Sequence, residues 1–248
     1  MNVGSVVGAV VAPLFAAGSA ARDARLFHPV GVVHRASVAP IASATDGDHP
    51  VGRRLAGAAI VRFSGAIWRR DRSPDILGMA IRFKNDRPMT IEVADEDQDL
   101  ALATMASVFL LPVALLTTRS HDYLANRYTG AGWFEVDGLG RVRLLVDAIR
   151  RPPARTRPSP GTPDRDERLD RAVTDHEAVL RLSAIRIDSS GRTAIPVATI
   201  TLGPRWVVDQ QALRFDPFRD GLGIRPVGLI QAIRRPVYAA SQRARGAG

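Results

Sequence analysis

From residue 29 onward the hydrophobic and polar positions fall into short runs with the two-residue period of β-strands. Pro29–Val38, Gly57–Ser64 (GAAIVRFS), Leu77–Lys84 (LGMAIRFK) and the shorter Met89–Ala94 (MTIEVA) are predicted strands, rich in the β-branched and aromatic residues that suit a pleated, half-buried surface. Trp133–Val136 and Arg141–Ile149 flank Asp137-Gly138-Leu139-Gly140, a hairpin signature. Ala178–Asp188 and Ala194–Leu202 surround Ser189-Ser190-Gly191 in the same way. Asp99–Tyr128 predicts a helix interrupted at Pro112, because proline has no backbone donor to give a helix interior. The tail from Val227 has helical spacing. Residues 151–167 (RPPARTRPSPGTPDRDE) predict an exposed loop. Many strands at hairpin spacing with few helices predict an α+β fold, an antiparallel β-barrel with peripheral helices. Neither flank of the Pro-rich loop has enough strands to close alone, and no internal repeat is visible. The expected organisation is therefore one domain: an apolar N-terminal helix over residues 1–24, then a barrel over residues 25–248.

Composition narrows the picture. The chain has 248 residues, 46% of them apolar and 24% charged, enough to bury a core without metal or disulfide staples. It has no cysteine, which removes disulfides, thiolate catalysis and cysteine-ligated metal from consideration. Residues 3–21 (VGSVVGAVVAPLFAAGSAA) resemble a signal-peptide core but follow Met-Asn with no positive stretch. We read them as a helix packed on the domain of a cytoplasmic protein, with export or membrane contact as the alternative. No apolar run is long and uninterrupted enough to span a bilayer.

The 34 cationic side chains against 25 acids give a net charge of +9, and only Lys84 among them is lysine. Such an arginine excess is either a solvated basic surface or the counterpart of an anion: a propionate-bearing cofactor, nucleic acid or an anionic lipid surface. Charge does not choose among these.

Common catalytic motifs are absent: there is no GxxxxGK[ST], GxSxG or HExxH. Gly221-Leu222-Gly223 is only a fragment of a nucleotide-binding loop. None of the five histidines has a spacing that puts two metal ligands on one helix face. His121-Asp122 and Asp175-His176-Glu177 read as polar pairs on helices, and Trp68, Trp133 and Trp206 as packing residues. Two segments stand apart. Arg25-Leu26-Phe27-His28 is an RxxH immediately before a strand. Near the C-terminus, Arg234 and Tyr238 are four apart and Arg245 seven further on, so a helix would put them on one stripe. An arginine beside a phenol favours the phenolate; without further context the same residues read as surface decoration.

Together these segments resemble the haem-dependent catalase superfamily, in its short catalase-related peroxidase form. RLFH (Arg25–His28) is similar to the family's RxxH, Val61-Arg62-Phe63-Ser64 to its VRFS strand, and Asp75, Gly78, Ala80 and Phe83 to the strand that follows. Asp99-Leu100 matches the DL opening the next element, and LRFDPFRDGLGIRP…LIQAIRRPVYAASQRAR resembles the ending of the short members. The matches run from residue 25 to residue 245 and agree in order and spacing.

The resemblance implies a catalase-like barrel, a haem b cofactor and reduction of hydrogen peroxide or organic hydroperoxides with an unknown reductant. It implies Tyr238 as the iron ligand, held as phenolate by Arg234; tyrosine ligation is known for catalases. Arg25, Arg62 and Arg245 would pair with haem propionates. Ser64 would fix the tautomer of His28, the distal acid/base. The family's asparagine after DL is missing, and Thr104 is the nearest polar substitute. Of Ala-Lys-Gly after the histidine only Gly31 remains, and a register using His34 instead lacks the preceding arginine. The alternatives are a degenerate haem-binding scaffold, a hydroperoxide-rearranging enzyme on the same haem, and a basic surface binder. The expected partners are haem and peroxide, with no specific nucleic acid; weak association with anionic surfaces and a homodimer are compatible with the chain.

Overall fold

The computed structural model describes residues 31–43, 47–66, 74–105, 111–150, 163–189, 191–229, 231, 232 and 235. Twelve strands are described: β1 (Gly31–Pro40), β2 (Ala42–Ser43), β3 (Gly47–Asp48), β4 (Gly57–Gly65), β5 (Leu77–Asn85), β6 (Gln98–Ala103), β7 (Arg127–Gly130), β8 (Trp133–Val136), β9 (Gly140–Ala148), β10 (Val179–Asp188), β11 (Gly191–Arg205) and β12 (Ile224–Val227). Three helices have described bounds, α1 (Pro50–Leu55), α2 (Leu111–Thr117) and α3 (Arg165–Thr174), and residues 229, 231, 232 and 235 are also helical.

The main sheet runs β10-β11-β1-β4-β5-β6-β7-β9, and β9 pairs back onto β10. Eight strands therefore close into an antiparallel barrel, and β8 and β12 extend it outward from β9. Closure removes the free edges that eight short strands would otherwise expose. The expected barrel class and single domain are what the structure has.

Strand alternation fills the interior. Val61 and Phe63 on β4, Met79 and Ile81 on β5, Leu100 on β6, Leu144 on β9 and Leu182 on β10 belong to one buried cluster. Val51 and Leu55 of α1 join it at one end, and Leu169 of α3 with Tyr123 and Tyr128 at the other. Phe63 meets Tyr123 and Tyr128 with ring centroids 5.0 and 6.0 Å apart. The interior is a packed core rather than a ligand chamber.

Outside the barrel, residues 206–223 cross the outer faces of β1, β4, β5 and β6. Leu213 buries against Val33 and Ile60, flanked by Trp206, Val208 and Phe215. Polar anchors fix the crossing. Arg82 donates to both Asp99 oxygens (2.8 and 2.9 Å) and to the Arg214 carbonyl. Asp99 also accepts from Arg219 (2.7 Å) and from the Asp216 amide (2.8 Å). Gln98 donates to the Arg219 and Ile224 carbonyls (2.7 and 3.0 Å).

Several local expectations are corrected. Residues 98–103 are strand β6, not the start of a helix: Leu100 and Leu102 face the core while Asp99 pairs across to Arg82. Met89–Ala94 is not a strand; its carbonyls are taken by cationic side chains, Ile91 by Arg82 (3.2 Å) and Glu92 by Lys84 (2.7 Å). The predicted loop 151–167 runs into α3, started by Asp164, whose side chain accepts from the Glu167 amide at 2.9 Å. His121-Asp122 lies in a turn and Asp175–Glu177 follows the end of α3, so neither is a pair on a helix. The residue 1–24 helix, the segment 151–162 and most of the tail lie outside the described residues. No described helix is long and apolar enough to cross a membrane.

Candidate functional site

Of the residues singled out in the sequence, Arg62, Ser64 and Thr104 lie within the described part. Arg25, His28, Arg234, Tyr238 and Arg245 lie outside it.

Arg62 and Ser64 are two apart on β4, so both project from its outer face while Phe63 between them enters the core. Both are buried, at 4% and 3% exposure. Cross-strand register places Gly31 beside Ser64, and Val33 beside Arg62. On the other side Gly78 pairs with Ser64, and Ala80 with Arg62. Gly78 and Ala80 in turn pair with Ala103 and Ala101 of β6. The outer face at this end of the barrel is thus built from glycine, alanine, serine and valine around one arginine. Side chains this small rise little above the sheet.

Gly31 is required here by space. A Cβ on it would overlap the Phe63 carbonyl oxygen and lie 3.0 Å from Ser64 Cβ and 3.1 Å from Arg62 Cζ. The Arg62 guanidinium therefore rests against the start of β1. Its Nε–H donates to Gln210 Oε1 at 3.1 Å, and Gln210 Nε2 donates to the Gly31 carbonyl at 2.7 Å. Gln210 is a residue that sequence reasoning missed. It lies 148 positions from Arg62 and belongs to no motif; only the fold brings it here.

Thr104 does not join this face. Ala103 carries the position in register with Ser64, and the Thr104 hydroxyl is engaged elsewhere, accepting from the Leu77 amide (3.1 Å) and bonded to Thr118 Oγ1 (2.8 Å). These bonds tie the end of β6 to β5 and to the residue after α2.

His34, the alternative distal residue, sits on the inner face of β1 and is fully buried. Its Nδ1 bonds the Gly203 carbonyl at 3.0 Å, and its Nε2 faces Asp170 Oδ1 of α3 at 3.6 Å. Burial pushes its pKa below the ordinary value, opposed by the Gly203 bond and the Asp170 charge. It is a barrel-end residue, separated from the Arg62 face by the sheet.

Two of the chain's three tyrosines are also fixed. Tyr123 and Tyr128 are 1% exposed. Burial raises both phenols well above the ordinary range, and their hydroxyls donate to Asp166 Oδ1 (3.3 Å) and to the Tyr123 carbonyl (2.9 Å). Both remain protonated donors. Trp206 packs on the β1–β4 outer cluster and Trp133 lies beneath Arg141 and Arg143, at 4.9 and 5.1 Å, consistent with packing roles. Among the described residues no group of three His, Asp or Glu is placed to hold a metal ion.

No protein-family model matches the sequence, and no curated protein sequence matches it. The fold, however, is that of catalases. A bacterial catalase structure superimposes with a TM-score of 0.65 over 90% of this chain, at 12% identity. A fungal catalase does so with a TM-score of 0.57 over 90% of this chain, at 11% identity. The chain spans only 57% and 59% of those two proteins' lengths. The fold class is therefore a catalase-like β-barrel.

Proposed function

We propose that this protein binds haem b on the outer face of β4 and uses it to reduce hydrogen peroxide or organic hydroperoxides with a separate reductant. The observation that carries this reading is the pairing of Arg62 and Ser64, buried side by side, on the catalase-like barrel. The small residues around them and the glycine required at position 31 fit a bulky planar group bearing carboxylates. A bound haem supplies the redox chemistry of peroxide cleavage.

The chain's own residues do the rest. Arg62, with Arg25 and Arg245, neutralises the propionates by charge-assisted hydrogen bonds. His28 lies three positions before Gly31, the partner of Ser64, so chain connectivity keeps it within about 10 Å of the start of β1. There it carries a proton from the inner to the outer peroxide oxygen, with Ser64 fixing its tautomer. Tyr238, with Arg234 beside it, is the phenolate that holds the iron; Tyr123 and Tyr128 are excluded from that task by their burial and protonation.

The test is titration of the purified protein with ferric haem, then peroxide turnover with a dye reductant. A Soret band with a tyrosinate charge-transfer band is expected, lost in Tyr238→Phe. Turnover is expected to fall about 10²–10⁴-fold in His28→Ala with haem retained. No Soret band in the wild type would refute the reading; haem uptake without turnover would leave a haem-binding scaffold.

A further inference from the structure

We propose that residues 3–21 of this chain dock on the exposed apolar face of α2, at the end of the barrel where β1 begins. The docking does not depend on haem.

α2 reads Leu-Pro-Val-Ala-Leu-Leu-Thr and carries no charged side chain. A helix that is apolar all round is ordinarily buried all round, yet only one side of α2 is covered. Ala114, 4% exposed, packs with Ala66 and Ile76, and Leu115 lies against the same cluster. Val113 and Leu116, three apart and so on one face, are 55% and 86% exposed. The helix is held in place by Thr118, the residue after it. The Thr118 hydroxyl bonds Thr104 at the end of β6 at 2.8 Å, and its amide donates to the Ala114 carbonyl at 2.9 Å. The open face of α2 is therefore a fixed surface.

The place where β1 begins selects the occupant. Gly31 pairs with Ser64, Ser64 with Gly78, and Gly78 with Ala103. Ala66 follows the end of β4 and Ile76 precedes β5, so the cluster under α2 sits at this same end of the barrel. Gly31 and Ala103 are three strand spacings apart, about 15 Å. The ten residues from Ala21 to Gly31 can span up to about 33 Å, so residues 3–21 reach α2 with slack. Apart from two serines and one proline they are valine, alanine, glycine, leucine and phenylalanine, with no charge. A second molecule is a poorer fit, because two exposed side chains fall far short of the roughly 1,000 Å² that a specific interface between separate molecules buries. A tethered segment is held at an effective concentration on the order of millimolar and needs no such area. Docking also holds the connecting residues 22–30, which include Arg25 and His28, at both ends.

Cysteine pairing in the full-length protein tests this, since the chain has no cysteine of its own. Intact mass first establishes that residues 3–21 are present in the protein used. Leu116→Cys is combined in turn with Val7→Cys, Val11→Cys and Leu14→Cys, and each pair is oxidised at low protein concentration. A disulfide needs Cα atoms within about 7 Å of each other; at least one pair should close within one molecule. Ile187→Cys, exposed beside the β10–β11 turn at the opposite end of the barrel, should close with none of them. Labelling gives a second readout. Leu116→Cys alone should react with a maleimide at least about tenfold more slowly than Ile187→Cys, because the reaction waits for local opening. Val7→Asp with Val11→Asp should restore the fast rate. Disulfide-linked dimers of Leu116→Cys would assign the face to a second copy, and protection only in the presence of anionic phospholipid vesicles would assign it to a membrane surface. Either result overturns the docking, as does fast labelling with no closure within the molecule.

Discussion

Asp99 shows how much one side chain can hold. Its carboxylate is fully buried, receives two bonds from Arg82 and one each from Arg219 and the Asp216 amide, and so joins two neighbouring strands to the segment that crosses them. Removing one partner of a buried pair leaves the other charge uncompensated. Asp99→Asn should therefore cost about 3–5 kcal/mol by urea unfolding; a loss below about 1 kcal/mol would mean that the cluster behaves like a surface pair. His34 supplies a pH dependence with a definite sign. Burial lowers its folded pKa from 6.5, against the Gly203 bond and the nearby Asp170 and Asp166, with Arg205 acting in the same direction as burial. The unfolded chain then binds the proton more readily, so this contribution to stability is complete above 6.5 and is lost as the pH falls below it. Asp166, raised from 3.8 by burial, acts oppositely in the acid range. Comparing wild type with His34→Gln cancels that term. The wild-type unfolding midpoint should drop more steeply between pH 7 and 5, and parallel slopes would contradict the assignment. At this scale the strand that carries Arg62 and Ser64 was legible because a strand motif is local. Gln210 was not, since its partners become neighbours only when a distant loop crosses the sheet.

The element errors have separate causes. LALATM in residues 100–105 has strong helix formers, yet β5 on one side and β7 on the other draw residues 98–103 into the sheet; tertiary pairing overrides intrinsic propensity. The start of α3 did carry a signal, Asp164 followed by Asp166 and Glu167 at a helix N-terminus, obscured by the Pro- and Arg-rich residues before it. Strand ends are also set by backbone geometry. Gly57 begins β4 with φ +112°, and a Cβ there would overlap the Asn85 carbonyl across the β4–β5 pair. Gly57→Ala should destabilise the protein by roughly 1–3 kcal/mol, read as a lower urea midpoint with an unchanged slope. A neutral result would mean that the strand start can shift without cost.

The whole barrel depends on pairings that join distant parts of the chain: β1 with β11, where His34 meets Arg205, and β9 with β10 across the 151–162 segment. Individual strands were visible in the alternating pattern, but the order β6-β7-β9-β10 and the outward placement of β8 and β12 were not, because pairing partners leave no trace in periodicity. A core shared by all eight barrel strands should unfold as a unit. Tryptophan fluorescence and far-ultraviolet circular dichroism should report one coincident urea transition, and refolding should take milliseconds to seconds, as expected for non-local β topology. Separate transitions would show that part of the ring opens alone. Lys84 gives this unit an unusual chemical signature. The chain's single lysine is 3% exposed, on a strand paired on both sides, with its ammonium group bound to Asp97 and the Glu92 carbonyl. The folded molecule therefore presents no accessible side-chain amine. Amine-directed labels and cross-linkers should find no lysine to modify, and a lysine-specific endoproteinase should leave the native chain intact. Once the barrel opens, that protease has one bond to cut, so its rate becomes a direct count of open molecules.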